Sequence, residues 1–132
     1  MKKEALGASL PVGKYPIFMF VPSKDRDGSS IDREYWVTEA LSVLGNLFRG
    51  ATALPGHGVW RNDQQSGRLI HDETVVVFTL AHPDDVTAEA VRQLRAFLHR
   101  LGRETNQGEV GVVVESHDWG ITVFDSPADQ GG

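Results

Sequence analysis

A chain of 132 residues that is 40% hydrophobic and 23% charged has the size and composition of one ordinary globular domain. Its formal net charge of -5 has the wrong sign for binding nucleic acid through the overall field, and the absence of cysteine excludes disulfides, thiolate metal sites and a Cys nucleophile. The apolar run Ile17 to Val21 falls far short of the roughly 18 residues a membrane span needs, so a soluble, cytoplasmic protein with no membrane partner is expected.

Residues 1–14 mix Lys2, Lys3, Gly7, Pro11 and Gly13 with no sustained period and read as a flexible segment; 126–132, polar and glycine-rich, read as a flexible tail. Residues 15–125 between them read as a single domain without internal repeats. Tyr15 to Val21 is the first expected strand, and Asp27-Gly28 marks the turn beyond it. From Ser30 the pattern turns helical, with Val37, Ala40, Leu41, Leu44, Leu47 and Phe48 at three- and four-residue steps. Ser30 or Asp32 is placed to cap its start and Gly50 its end.

Ala51 to Leu54 and Val59 to Trp60 read as one strand interrupted at Pro55-Gly56, as by a bulge, with Arg61 to Asp72 as a polar connection. Glu73 to Ala81, containing Val75, Val76, Val77, Phe78 and Leu80, carries the strongest strand signal. A second helix follows, capped by Thr87 and stapled by Val86 and Val91. Its apolar stripe is Val91, Leu94, Leu98 and Leu101, with Ala90 and Phe97 beside it and Gly102 as the residue past its end. Val110 to Glu115 and Gly120 to Asp125 read as strands joined by the turn Ser116 to Trp119.

The order β-α-β-β-α-β plus a short C-terminal strand points to an α+β, ferredoxin-like βαββαβ sandwich: an antiparallel sheet with both helices on one face. A differently ordered α+β sandwich also fits the pattern. The expected core is Phe18, Phe20, Val37, Leu41, Leu44, Val75, Val77, Leu94, Leu98 and Val112. Val76, Phe78, Val113 and Ile121 are expected on or near the other sheet face, whose cover would be a second copy of the chain.

Two stretches can carry chemistry. Gly56 to Arg61 combines glycines that admit a ligand to the backbone, the face of Trp60 and the fork of Arg61. A bulge followed by a buried Trp explains the same residues without a ligand. Arg103 to Glu109 leads from a helix into a strand, where Arg103 and Gln107 can line a crevice or simply finish the helix and make the turn. If both stretches border one crevice or an intersubunit cleft, Trp60, Arg61, Arg103 and Gln107 would hold a small polar or anionic ligand. His57, His71, Glu73 and Glu104 are the candidate acid and base groups. His57 and His71 flank the polar connection, but their spacing matches no ligand motif, and neither a metal nor a cofactor is expected. His82-Pro83-Asp84-Asp85 and His117-Asp118 are explained by helix capping and turn chemistry.

Glu34-Tyr35-Trp36, Gly58-Val59-Trp60-Arg61, Glu73 before Val75 to Val77, and Gly102 to Val110 together resemble small bacterial ferredoxin-like proteins of unknown function, over roughly residues 15 to 115. The long connection between the second and third strands resembles the layout of PII-like signalling proteins, ferredoxin-like trimers that hold nucleotides in clefts between subunits. Their nucleotide-binding signatures have no counterpart here, so the resemblance implies the layout and not the ligand. With no nucleophile and base at a recognisable spacing, the sequence favours a non-enzymatic, homo-oligomeric ligand-binding or regulatory module. A small enzyme with a His/Glu acid-base pair acting on a polar metabolite, and a purely structural or interaction role, stay open.

Overall fold

The computed structural model describes residues 3–7, 15–114 and 117–122. Of the two terminal segments expected to be flexible, only 3–7 are described, and Lys3–Leu6 form a single 3-10 turn. Residues 126–132 lie outside the described residues, as do 123–125 of the last expected strand.

Strand β1 (Tyr15–Pro22) alternates fully buried Ile17, Met19 and Val21 with half-buried Phe18 and Phe20, so it is apolar on both faces, as a central strand must be. Helix α1 (Arg33–Phe48) begins where the Asp32 carboxylate accepts the Tyr35 N–H at 3.2 Å. It buries Trp36, Ala40, Leu44 and Phe48, four residues apart, on one line of the helix. Its end differs from the expected glycine. Arg49 takes the left-handed conformation at φ 78°, and its N–H closes onto the Gly45 oxygen at 2.9 Å. The Arg49 side chain is also anchored, 2.7 Å from the Asp85 carboxylate.

Strands β2 (Thr52–Asn62) and β3 (Arg68–Ala81) form a long hairpin with unbroken register, from Thr52 opposite Phe78 to Asn62 opposite Arg68. No bulge interrupts it. Pro55 is tolerated because β2 is an edge strand, where a missing N–H need not break a ladder. Most of the expected polar connection is strand, and the turn shrinks to residues 63–67, where Ser66 and Gly67 supply the positive φ values of 57° and 75°.

Helix α2 (Ala88–Glu104) starts as expected, with the Thr87 hydroxyl accepting the Ala90 N–H at 3.1 Å. Ala90, Leu94, Phe97, Leu98 and Leu101 are buried, whereas Val91 is half exposed and falls outside the stripe. Gly102 is a buried residue inside the helix. The chain leaves the helix later, at Thr105, whose hydroxyl donates to the Leu101 oxygen at 2.6 Å, and Asn106 takes the positive φ of 51°. β4 (Val110–Val114) and β5 (His117–Ile121) make a tighter hairpin than expected, with Val114 opposite His117.

The result is an α+β fold, a five-stranded antiparallel sheet in the order β2-β3-β1-β4-β5 with two helices. Ile17, Met19, Val21, Val77, Val110 and Val112 join residues of both helices in one buried cluster, so both helices cover the same sheet face. That parity corrects the expected core. Phe18 pairs with Phe78, and Phe20 with Val76, so all four lie on the opposite face, with the Phe18 and Phe78 rings stacked at 5.3 Å. Phe20 lies across Gly111, where an added Cβ would come within 3.2 Å of its ring. Ile121, opposite Val110, belongs to the helix-covered face and packs against the core. Val37, Leu41 and Val75 are only partly buried; Leu44, Val77, Leu94, Leu98 and Val112 are buried as expected.

β3 is longer than its neighbour β1. The last residue of β1, Pro22, pairs with Thr74, and from Glu73 to Arg68 the ladders pair β3 only with β2. A two-stranded arm, residues 57–62 and 68–73, therefore projects beyond the rest of the sheet.

Candidate functional site

The base of this arm gathers several chemically useful side chains. His57 and Glu73 sit directly opposite each other across β2 and β3, as do Val59 and His71, and all four point to the helix-covered side. His57 Nε2 and His71 Nδ1 are 3.1 Å apart, with ring centroids 5.3 Å apart. Arg33, the first residue of α1, brings its guanidinium to 3.9 Å from the Glu73 carboxylate. Both groups keep solvent access, with 39% and 70% of their side-chain surfaces exposed.

Two clefts meet at Glu73. One, of about 350 Å³, is lined by Arg33, Pro55, Gly56, His57, Glu73 and Thr74. The other, of about 170 Å³, is lined by Ser23, Lys24, His71, Asp72 and Glu73. A carboxylate beside a guanidinium, with Lys24 on the rim of the adjoining cleft, suits a ligand that carries both signs of charge, because each charge finds an opposite one without leaving solvent. The sequence singles out His57, His71 and Glu73 as candidates but not Arg33 or Lys24, which the structure places beside them. The packing of α1 against the hairpin brings in Arg33, and the segment that follows β1 brings in Lys24.

A larger cleft, of about 540 Å³, opens at the other end of the sheet among Phe48, Arg49, Gly50, Ala51, Thr52, Phe78, Thr79, Leu80 and His82. Its charged side chain, Arg49, is occupied by Asp85, so it offers less to a charged ligand.

The remaining sequence candidates are dispersed. Trp60 and Arg61 lie toward the tip of the arm, Trp60 more than half exposed and Arg61 paired with Asp63 at 2.6 Å. Gln107 is buried, and its amide donates to the backbone oxygens of Lys24 and Thr105, each at 3.1 Å. It belongs to a clasp in which Arg26 donates to the Gln107 oxygen at 2.7 Å and Asn106 donates to Asp25 and Asp27. In the same clasp the Ser29 backbone N–H, the largest influence, holds the Asp25 carboxyl below its ordinary range. Arg103 lies in the last turn of α2, and Glu104 is 4.0 Å from Arg100 on the same helix. Because β3 and β1 stand between β2 and β4, Arg61 and Gln107 are separated by three strand spacings, about 14 Å, before the projection of the arm is added. Within one chain they do not border a common crevice.

Among the described residues, no group of three or more His, Asp or Glu side chains converges as a metal centre, and no helix is long and apolar enough to cross a membrane. No protein-family model matches the chain, and no curated protein does so either.

The fold is similar to that of phage SAM lyase. A structure of that lyase in complex with S-methyl-5'-thioadenosine superposes with a TM-score of 0.63 at 19% identity, covering 87% of this chain and 94% of that one. The lyase in its apo state gives a TM-score of 0.59 at 17% identity, covering 89% and 99%. At such identities the likeness to phage SAM lyase is one of fold.

Proposed function

We propose that this chain is a ferredoxin-like small-ligand-binding domain whose ligand is an adenosyl sulfonium or thioether, held at the base of the β2-β3 arm. The strand order β2-β3-β1-β4, with β5 added at the edge, supports the ferredoxin-like assignment. The observation that carries the ligand reading is the Arg33–Glu73 pair between two clefts, within a fold that resembles phage SAM lyase along most of both chains. S-adenosylmethionine presents a carboxylate, an ammonium and a sulfonium. Arg33, with Lys24 on the rim of the second cleft, would meet the carboxylate, and Glu73 either cation.

A homo-oligomer completes this reading. The sheet face opposite the helices carries Phe18, Phe20, Val76 and Phe78, with Leu54 and Leu80 more than half exposed at its margin. The arm extends this face with Trp60 and carries Val59 and Leu69 on its other face, each more than half exposed on a two-stranded ribbon of a kind that is marginal in water without support. Trp60 and Arg61 enter the site through a second copy, whose arm reaches across to a neighbour's cleft or to Arg103 at the end of α2.

An enzymatic reading is favoured by the lyase activity named for the similar structures and by Glu73, a solvent-accessible carboxylate beside Arg33 that can hold a sulfonium in position for cleavage. As the carboxylate oxygen of the same ligand bonds to the carbon attached to sulfur and closes a lactone, the carbon-sulfur bond breaks, its electron pair leaves on sulfur, and neutral S-methyl-5'-thioadenosine is released. Native mass spectrometry with S-adenosylmethionine and S-methyl-5'-thioadenosine tests binding, and chromatography of the same mixture tests turnover. Retention without conversion supports the binding module, S-methyl-5'-thioadenosine released above the uncatalysed rate supports the lyase, and neither outcome removes both readings.

A further inference from the structure

We infer that His57 and His71 form a two-imidazole site for a divalent transition-metal ion, zinc or copper in class, that clips β2 to β3 at the base of the arm. The inference rests on the geometry of the pair. Two cis ligands at the usual zinc–nitrogen length of about 2.05 Å have their nitrogens 3.1 Å apart when the angle at the metal is about 100°, between the octahedral and tetrahedral values. The nitrogens that now face each other thus already stand at the separation an ion between them requires. Ring rotation, rather than backbone movement, would bring both lone pairs to bear on it.

The surroundings suit such an ion. Glu73 is opposite His57 and two residues from His71 on the same face, so a carboxylate adjoins the imidazoles and partly offsets the nearby Arg33. Both rings are exposed, which gives an ion an open entry path. His57 lines one cleft and His71 the other, so an ion on the pair stands between them with its remaining coordination positions open to water or to a ligand. Two protein ligands make a site that loads reversibly, and the structural effect of loading is to lock the register of a ribbon that the rest of the sheet does not brace.

The test uses untagged full-length protein titrated calorimetrically with Zn²⁺ or Cu²⁺ alone, beside His57→Gln, His71→Gln and the control His82→Gln, with a thermal melt of each variant. His82 is a fair control because it accepts the Asp84 N–H and lies outside the arm. The expected result is one ion per chain in wild type and in H82Q, and affinity lower by about tenfold or more in H57Q and H71Q, since a direct ligand counts for at least as much as an outer-shell partner. Electron paramagnetic resonance of the wild-type copper complex should show coupling to two imidazole nitrogens, a readout that needs no variant to fold. Absence of saturable binding, unchanged affinity in H57Q and H71Q, an equal loss in H82Q, or a spectrum without imidazole coupling would each overturn the inference.

Discussion

The side-chain amide of Gln107 donates to the backbone oxygen of Lys24 at 3.1 Å, tying the turn before β4 to the segment that follows β1. Gln107 therefore works inside the fold rather than on a ligand. Removing its amide leaves the Lys24 and Thr105 oxygens without this donor in a buried setting, so Gln107→Ala should cost about 1–3 kcal/mol in urea denaturation. Any effect on ligand affinity should be indirect and small. A variant of full stability with lost ligand binding would restore Gln107 to the site.

The core makes a sharper demand on stability. Leu44 is fully buried on α1 and Leu94 is 6% exposed on α2, so truncating either to Ala should cost about 2–5 kcal/mol. Val91→Ala, on the exposed side of α2, should change stability by less than about 0.5 kcal/mol. Equal losses at Val91 and Leu94, measured by the same denaturation, would mean that the face of α2 has been misjudged.

Much of the fold was legible in the sequence because it depends on local pattern. The order of elements, the Asp32 and Thr87 caps and the buried stripe of α2 follow from periodicity and capping chemistry. Parity in β1 was not legible. Tyr15 to Val21 is apolar at nearly every position, so nothing local says that Ile17, Met19 and Val21 face the helices while Phe18 and Phe20 face away. The long hairpin was hidden for a related reason: Pro55, Gly56 and Gly58 look like interruptions until β2 is known to be an edge strand. At the site, His57, His71 and Glu73 could be singled out, but Arg33 joins them only through helix packing. Arg61 and Gln107 were paired by their places in the chain, and the intervening strands β3 and β1 separate them.

The sheet face opposite the helices leads to a prediction about assembly. Leu54 and Leu80 are more than half exposed on the side that carries Phe18 and Phe78, so the chain should self-associate through this face. Sedimentation equilibrium should give a mass above that of one chain at tens of micromolar protein, and the double variant Leu54→Lys, Leu80→Lys should sediment as a folded monomer. A wild-type monomer at every concentration would contradict this.

Glu39 gives the acid side of the stability profile. A hydrogen bond from Arg100, its largest influence, and a second from Tyr35 hold its carboxyl below the ordinary range. The Arg100 guanidinium is itself placed over the Trp36 ring, 4.9 Å from its centroid. Because the folded value is depressed, this contribution is present above the unfolded glutamate value of about 4.3 and is lost as pH falls through the lower folded value. The stability gap between wild type and Glu39→Gln should therefore narrow as the pH of the denaturation is lowered from 6 to 3. A gap independent of pH would remove the ion pair from the account.

Arg33 and Glu73, as proposed above, hold a ligand with charges of both signs at the base of the arm. Isothermal titration with S-adenosylmethionine, run on wild type, Arg33→Ala and Glu73→Gln, measures this most directly. Both side chains are solvent-accessible and their ion pair contributes little to folding, so the variants should melt close to wild type. Saturable binding to wild type is expected, with a loss of about tenfold or more in each variant, equivalent to about 1.4 kcal/mol. Wild-type protein that binds neither S-adenosylmethionine nor S-methyl-5'-thioadenosine, or affinity that survives both substitutions, would contradict the proposal.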